Sequence, residues 1–161
     1  LLEQSQNWAP SVIAGYCAMG SEADVMPALT RLQEKGHALA LPCIQQDGLL
    51  FRSYHLHDPL QTGPLNTREP FSTQDLCQPD VVLVPLLGFD DRLMRLGQGA
   101  GFYDRTLEKL RSAGPVLAIG IAFSCQRSDA PIPSEPHDQP LDFVITEQKV
   151  YAAPLDGHTK N

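Results

Sequence analysis

Asp80-Val81-Val82-Leu83-Val84-Pro85 sets the tightest limit on what this chain can fold into. Four aliphatic residues in a row, three of them β-branched, favour a strand. With no polar residue alternating among them, that strand has to be covered on both faces, which is the situation of a central strand in a parallel sheet. Other segments fit the same plan. Val12 to Cys17, Ala38 to Pro42 and Val116 to Ile121 are short apolar runs bounded by polar or turn-forming residues, as buried strands are. Between the first two, Met26, Leu29 and Leu32 recur at helical spacing and stop at Lys35-Gly36, which predicts an amphipathic helix with a glycine terminator. Ser21 and Asp24 stand where a capping box would open it, with Asp replacing the usual Glu or Gln. Strand, helix and strand in this rhythm make a βαβ unit. The expectation is an α/β fold, a three-layer α/β/α arrangement around a mostly parallel sheet, forming one domain over residues 1–161. Leu49 to His55 reads as an edge strand, residues 57–80 as a long surface connection, Phe102 to Arg111 as a second helix, and Phe143 to Thr146 and Val150-Tyr151 as short final strands.

Composition narrows the function. The formal net charge of −7 disfavours nucleic acid and anionic membranes as partners, and no apolar run approaches the roughly 20 residues of a membrane span. Cys17, Cys43, Cys77 and Cys125 are widely separated, a pattern of reduced thiols rather than of a disulfide framework or zinc site. A cytoplasmic chain is expected.

The segment richest in chemistry is Arg95-Leu96-Gly97-Gln98-Gly99-Ala100-Gly101-Phe102-Tyr103-Asp104. It joins the strongest strand to the second helix. Glycines there permit positive φ and close backbone approach, and the N–H groups at the helix start can hold phosphate oxygens. The dinucleotide fingerprint would need glycine at position 102, where Phe102 stands, and a Walker loop would need Gly-Lys followed by Ser or Thr. On these residues alone the loop serves equally as a tight turn or as a phosphate site, and Asp104 equally as a ligand or as an acid that complements the helix dipole.

Pro85-Leu86-Leu87-Gly88-Phe89-Asp90 followed by Arg95-Leu96-Gly97-x-Gly99-x-Gly101-Phe102-Tyr103-Asp104 closely resembles the signature of the 5-formyltetrahydrofolate cyclo-ligase family. Ala14-Gly15-Tyr16 with Gly20-Ser21-Glu22, and Pro136-His137-Asp138-Gln139-Pro140-Leu141-Asp142, match the same family in the same order. The resemblance implies an enzyme that converts 5-formyltetrahydrofolate and ATP to 5,10-methenyltetrahydrofolate, ADP and phosphate with Mg2+. It further implies that Arg95 to Tyr103 form the ATP loop, with Arg95 and Tyr103 also catalytic. Cys17, Glu22, Gly99, Phe102 and Tyr103 would contact the folate, and Asp104 and Asp138 the metal. Gln98 and Ala100 are neutral where some relatives are basic. The family also has a basic N-terminal segment that contacts ATP, expected to lie upstream of Leu1, and a monomer is expected. The alternatives are a folate-binding homologue without ATP turnover and a sugar-phosphate-binding α/β enzyme.

Overall fold

The computed structural model describes residues 1–153; the last eight residues of the expected single domain, 154–161, lie outside the described residues. Among the described residues, twelve strands and two α-helices follow one another. They are β1 (Val12–Ala14), α1 (Met26–Glu34), β2 (Ala38–Gln45), β3 (Gly48–Tyr54), β4 (Leu60–Thr62), β5 (Arg68–Pro70), β6 (Leu76–Cys77), β7 (Val81–Pro85), β8 (Gly88–Phe89), β9 (Arg95–Leu96), α2 (Phe102–Ala113), β10 (Leu117–Ile121), β11 (Phe143–Ile145) and β12 (Val150–Ala152). Eight strands form one sheet in the order β12-β11-β10-β7-β1-β2-β3-β6. The five strands from β11 to β2 run parallel; β12, at one side, and β3, at the other, are antiparallel to their inner neighbours.

The Val81 to Val84 run does lie at the centre of the sheet. Val81, Val82, Leu83 and Val84 are all buried, between β1 and β10. Successive side chains of a strand point to opposite faces, and the core divides accordingly. Val82 and Val84 pack with Ala14, Ala118 and Leu107 of α2. Val81 and Leu83 pack with Ile13, Ile119 and the α1 residues Leu29 and Leu32. One helix therefore covers each face, and the three-layer α/β/α expectation holds.

Three local expectations need correction. Ser21 and Asp24 make no capping box. α1 begins at Met26 without a side-chain cap, Pro27 stands in its first turn, and the Asp24 carboxylate accepts the Met26 N–H at 3.0 Å. Proline is suited to that position because its missing N–H would have had no partner. Residues 49–55 do not form an edge: β3 is flanked on its outer side by the two-residue β6. Nor is 57–80 a featureless connection. It holds the antiparallel hairpin β4–β5 as well as β6.

Tight packing is visible at Gly120 in β10, where a Cβ would lie 2.7 Å from Leu141 and 2.9 Å from Leu86. Gly120→Val is expected to overpack this face at a cost of about 2 kcal/mol, a fall of roughly 4–8 °C in melting temperature. An unchanged thermal midpoint would contradict the packing described.

Candidate active site

In a parallel sheet the carboxyl ends of all parallel strands lie on one side. A crevice opens there where connections leave adjacent strands in opposite directions, and such crevices bind ligands. Here the switch lies between β1, which leads away to β2, and β7, which leads away to β10. The loop after β1 carries Cys17 and Glu22, and the loop after β7 carries Arg95 to Gly101. The topology thus brings together two segments more than seventy residues apart.

The two segments are close enough to influence one another electrostatically. Burial pushes the Tyr103 phenol pKa up; Arg95 opposes the shift, and Glu22 and Cys17 add to it. Burial likewise raises Tyr16, with Glu22, Tyr103 and Asp24 adding, and the Tyr16 hydroxyl donates to the Ala23 carbonyl at 2.8 Å. Both phenols stay protonated at neutral pH, so Tyr103 offers a hydrogen-bond donor rather than a base. Burial also raises the Cys17 thiol, with Arg68 opposing and Asp24 adding, which makes Cys17 a neutral contact and no nucleophile.

Arg95 does not extend into solvent. Its side chain is only 7% exposed, 3.5 Å from the Asp104 carboxylate and 5.6 Å from the centre of the Tyr103 ring. The guanidinium folds back against Gly97, where any Cβ would collide with it. Its Nε is buried with no hydrogen-bond partner among the described residues, a costly condition for a charged donor. Gly99 and Gly101 have φ of 95° and 70°, conformations that glycine adopts without penalty, and Gly101 caps α2 with no side-chain bond. The first N–H groups of α2 therefore face outward without intrahelical partners. Leu96, Gln98, Gly99 and Ala100 are exposed. Phe102 lies beneath the Arg105 guanidinium at 5.3 Å, and Arg105 also donates to the Ala100 carbonyl.

The remaining acid joins from behind. The second Asp104 oxygen accepts the Gln139 N–H at 3.0 Å, which brings the proline-rich loop from Ala130 to Pro140 against the start of α2. Asp138 is the neighbour of Gln139 and accepts the Glu135 N–H at 2.7 Å. Among the described residues no three His, Cys, Asp or Glu side chains gather as a metal cage, and no helix is long and apolar enough to cross a membrane.

Residues 1–147 match the profile of the 5-formyltetrahydrofolate cyclo-ligase family. The chain belongs to that family. It is 34% identical to the 5-formyltetrahydrofolate cyclo-ligase of Escherichia coli K12 over 146 residues, 86% of this chain and 79% of that one. It is 32% identical to that of Mycolicibacterium smegmatis over 149 residues, 85% and 74% of the two chains. The 5,10-methenyltetrahydrofolate synthetase of Aquifex aeolicus shares the fold, with a TM-score of 0.74 at 24% identity over 99% of this chain and 84% of that chain. The synthetase of Mycoplasma pneumoniae superposes with a TM-score of 0.62 at 27% identity, over 83% and 71%.

Of the residues that the cyclo-ligase resemblance marks, the fold gathers Cys17, Glu22, Arg95, Tyr103 and Asp104 around one crevice, with Asp138 adjoining through Gln139. One wall escaped the sequence reading. Thr62, Asn66 and Arg68 of the β4–β5 hairpin face Cys17, Ala18, Met19 and Gly20 across a cavity of about 400 Å³. Gly63-Pro64 between two short polar stretches was the available signal, since that dipeptide marks a turn.

Proposed function

We propose that this chain catalyses the ATP-dependent conversion of 5-formyltetrahydrofolate to 5,10-methenyltetrahydrofolate, with release of ADP and phosphate, as a cytoplasmic monomer. The observation that carries the reading is the meeting of the two motif-bearing loops at the switch-point crevice, with a buried arginine Nε left unpartnered there. A phosphate oxygen is the acceptor that such a donor lacks.

The formyl oxygen is a poor leaving group until it is phosphorylated. It attacks the γ-phosphorus of ATP, and the bond to ADP breaks. The N10 lone pair then attacks the activated carbon, the carbon–oxygen bond to phosphate breaks, and the N10 proton passes to solvent. Backbone N–H groups of Gly97, Gly99 and Gly101 and the free start of α2 cradle the phosphates, while Leu96, Gln98 and Ala100 complete that loop. Arg95 offsets charge on the transferring group. Tyr103 donates from its protonated hydroxyl, and Phe102 packs beside the two substrates. Glu22 accepts hydrogen bonds from the pterin, and Cys17 and Gly99 line its site.

Asp104 and Asp138 fit Mg2+, which commonly takes one or two carboxylates and completes its shell with phosphate oxygens and water. Bound there, Mg2+ would offset charge on the ATP oxygens. The direct test is growth of the methenyl-folate absorbance band when the full-length protein meets 5-formyltetrahydrofolate, ATP and Mg2+. The expected result is growth that stops when ATP is omitted. Folate binding without any growth of the band would leave a binding protein only.

A further inference from the structure

The β4–β5 hairpin has no part in the chemistry above, yet it is built rigidly onto the same end of the sheet. Glu69, 5% exposed, accepts the Ile44 N–H of β2 at 3.0 Å and the Thr67 hydroxyl at 2.9 Å. Its carboxylate also fills the space where a Cβ on Gly63 would stand. Alternation along β5 then turns Arg68 the other way. Thr62, its partner across the hairpin, lines the same cavity, as does Asn66. The opposite wall, Cys17 to Gly20, is the loop that continues to Glu22.

Arg68 is exposed and makes no ion pair among the described residues, in a chain of net charge −7. The Cys17 thiol feels its charge across the cavity. The hairpin tip is also strained: Leu65 and Asn66 hold φ of 56° and 60°, and Leu65 is 68% exposed. Asparagine adopts that region readily and leucine seldom does. Strain that obtains no packing within the molecule suits a residue that meets a ligand.

We propose that the β4–β5 hairpin recognises the tail of the folate, with Arg68 pairing with its glutamate carboxylates, so that the enzyme favours glutamylated over glutamate-free substrates. The inference rests on the proposed folate chemistry and adds a specificity element to it. It is tested by comparing kcat/KM for 5-formyltetrahydrofolate and for 5-formyltetrahydropteroate, which lacks the glutamate, in the wild-type enzyme and in Arg68→Gln and Arg68→Glu. The wild type should prefer the glutamylated substrate by ~10-fold or more, the return of one charge-assisted pair. Arg68→Gln should bring the ratio close to one, and Arg68→Glu should lower it further by repulsion. Equal losses on both substrates, or a change confined to the KM for ATP, would overturn the proposal. If the wild type turns over neither substrate, the proposed reaction itself fails. Calorimetric binding of the two ligands to wild type and Arg68→Gln then decides the hairpin's role separately: loss of discrimination in the variant supports it, and unchanged discrimination overturns it.

Discussion

Asp104→Asn should lower ATP-dependent formation of methenyl-folate by about 100-fold, the usual scale for removing one preorganised electrostatic group from a reacting centre. Asparagine keeps one oxygen able to accept the Gln139 N–H, so the proline-rich loop stays attached. The oxygen that faces Arg95 becomes an amide whose hydrogens point at the guanidinium. Two consequences follow together. Arg95 loses the partner that holds it over Tyr103, and the proposed magnesium site loses one of its two carboxylates. The variant should therefore need more Mg2+ for half-maximal rate, a shift that a purely structural role for Asp104 would not produce. Activity within threefold of wild type at equal folded fraction would sink Asp104 as a functional group.

The second large effect is on stability and comes from Asp90. It is 2% exposed and accepts the N–H groups of Arg92, Met94 and Ile132 together with the Arg92 guanidinium. That one carboxylate joins the β8–β9 hairpin to the proline-rich loop. Asp90→Ala leaves three backbone donors without their acceptor and should cost about 3 kcal/mol, a fall of roughly 6–12 °C in melting temperature. Asp90→Asn should cost less, because its single oxygen can still serve Arg92 and Met94 but its amide opposes the Ile132 N–H. Burial pushes the Asp90 carboxyl up, and the hydrogen bonds from Ile132, Arg92 and Met94 outweigh it, so the folded pKa lies below the ordinary 3.8. A depressed folded value means that its stabilisation is complete above 3.8 and is lost as pH falls through the folded value. Wild-type melting temperature should therefore drop in acid below pH 3.8 more steeply than that of Asp90→Ala. Parallel acid profiles for the two would remove Asp90 from this role.

What the sequence disclosed depended on how local the cause was. Val81 to Val84 announce a covered strand because burial on both faces is written into four adjacent residues. Gly99 and Gly101 announce an unusual backbone because few other residues adopt their φ angles without cost. The signature from Pro85 to Asp104 disclosed the family, and with it the neighbourhood of Cys17, Glu22 and Asp138. The β4–β5 hairpin was hidden because its strands are three residues each and its anchor is a distant contact, Glu69 on Ile44. The direction of Arg95 was hidden for the same reason. Its partners Asp104 and Tyr103 lie one helical start away, and nothing in a one-dimensional pattern says that the guanidinium folds back over Gly97. Ser21 and Asp24 misled because spacing alone cannot tell a capping box from an aspartate that accepts the N–H two residues ahead.

The place of β1 also bears on how the chain is made. Its Val12 N–H bonds to the Asp80 carboxylate, and Ile13 and Ala14 pair with Val81 and Val82 on one side and with Leu39 and Ala40 on the other. An emerging chain can form the β1–α1–β2 unit early, but one edge of β1 stays bare until residues past 82 have left the ribosome. Parallel pairings across such separations are slow to close and leave unpaired edges exposed meanwhile. The crevice lies between β1 and β7, so the pairing that covers the last bare edge of the early unit also makes the floor of the ligand site, and its Arg95 to Asp104 wall follows later in the chain. A nascent chain that stalls before β7 therefore has both an open strand to aggregate through and no site with which a ligand could rescue it.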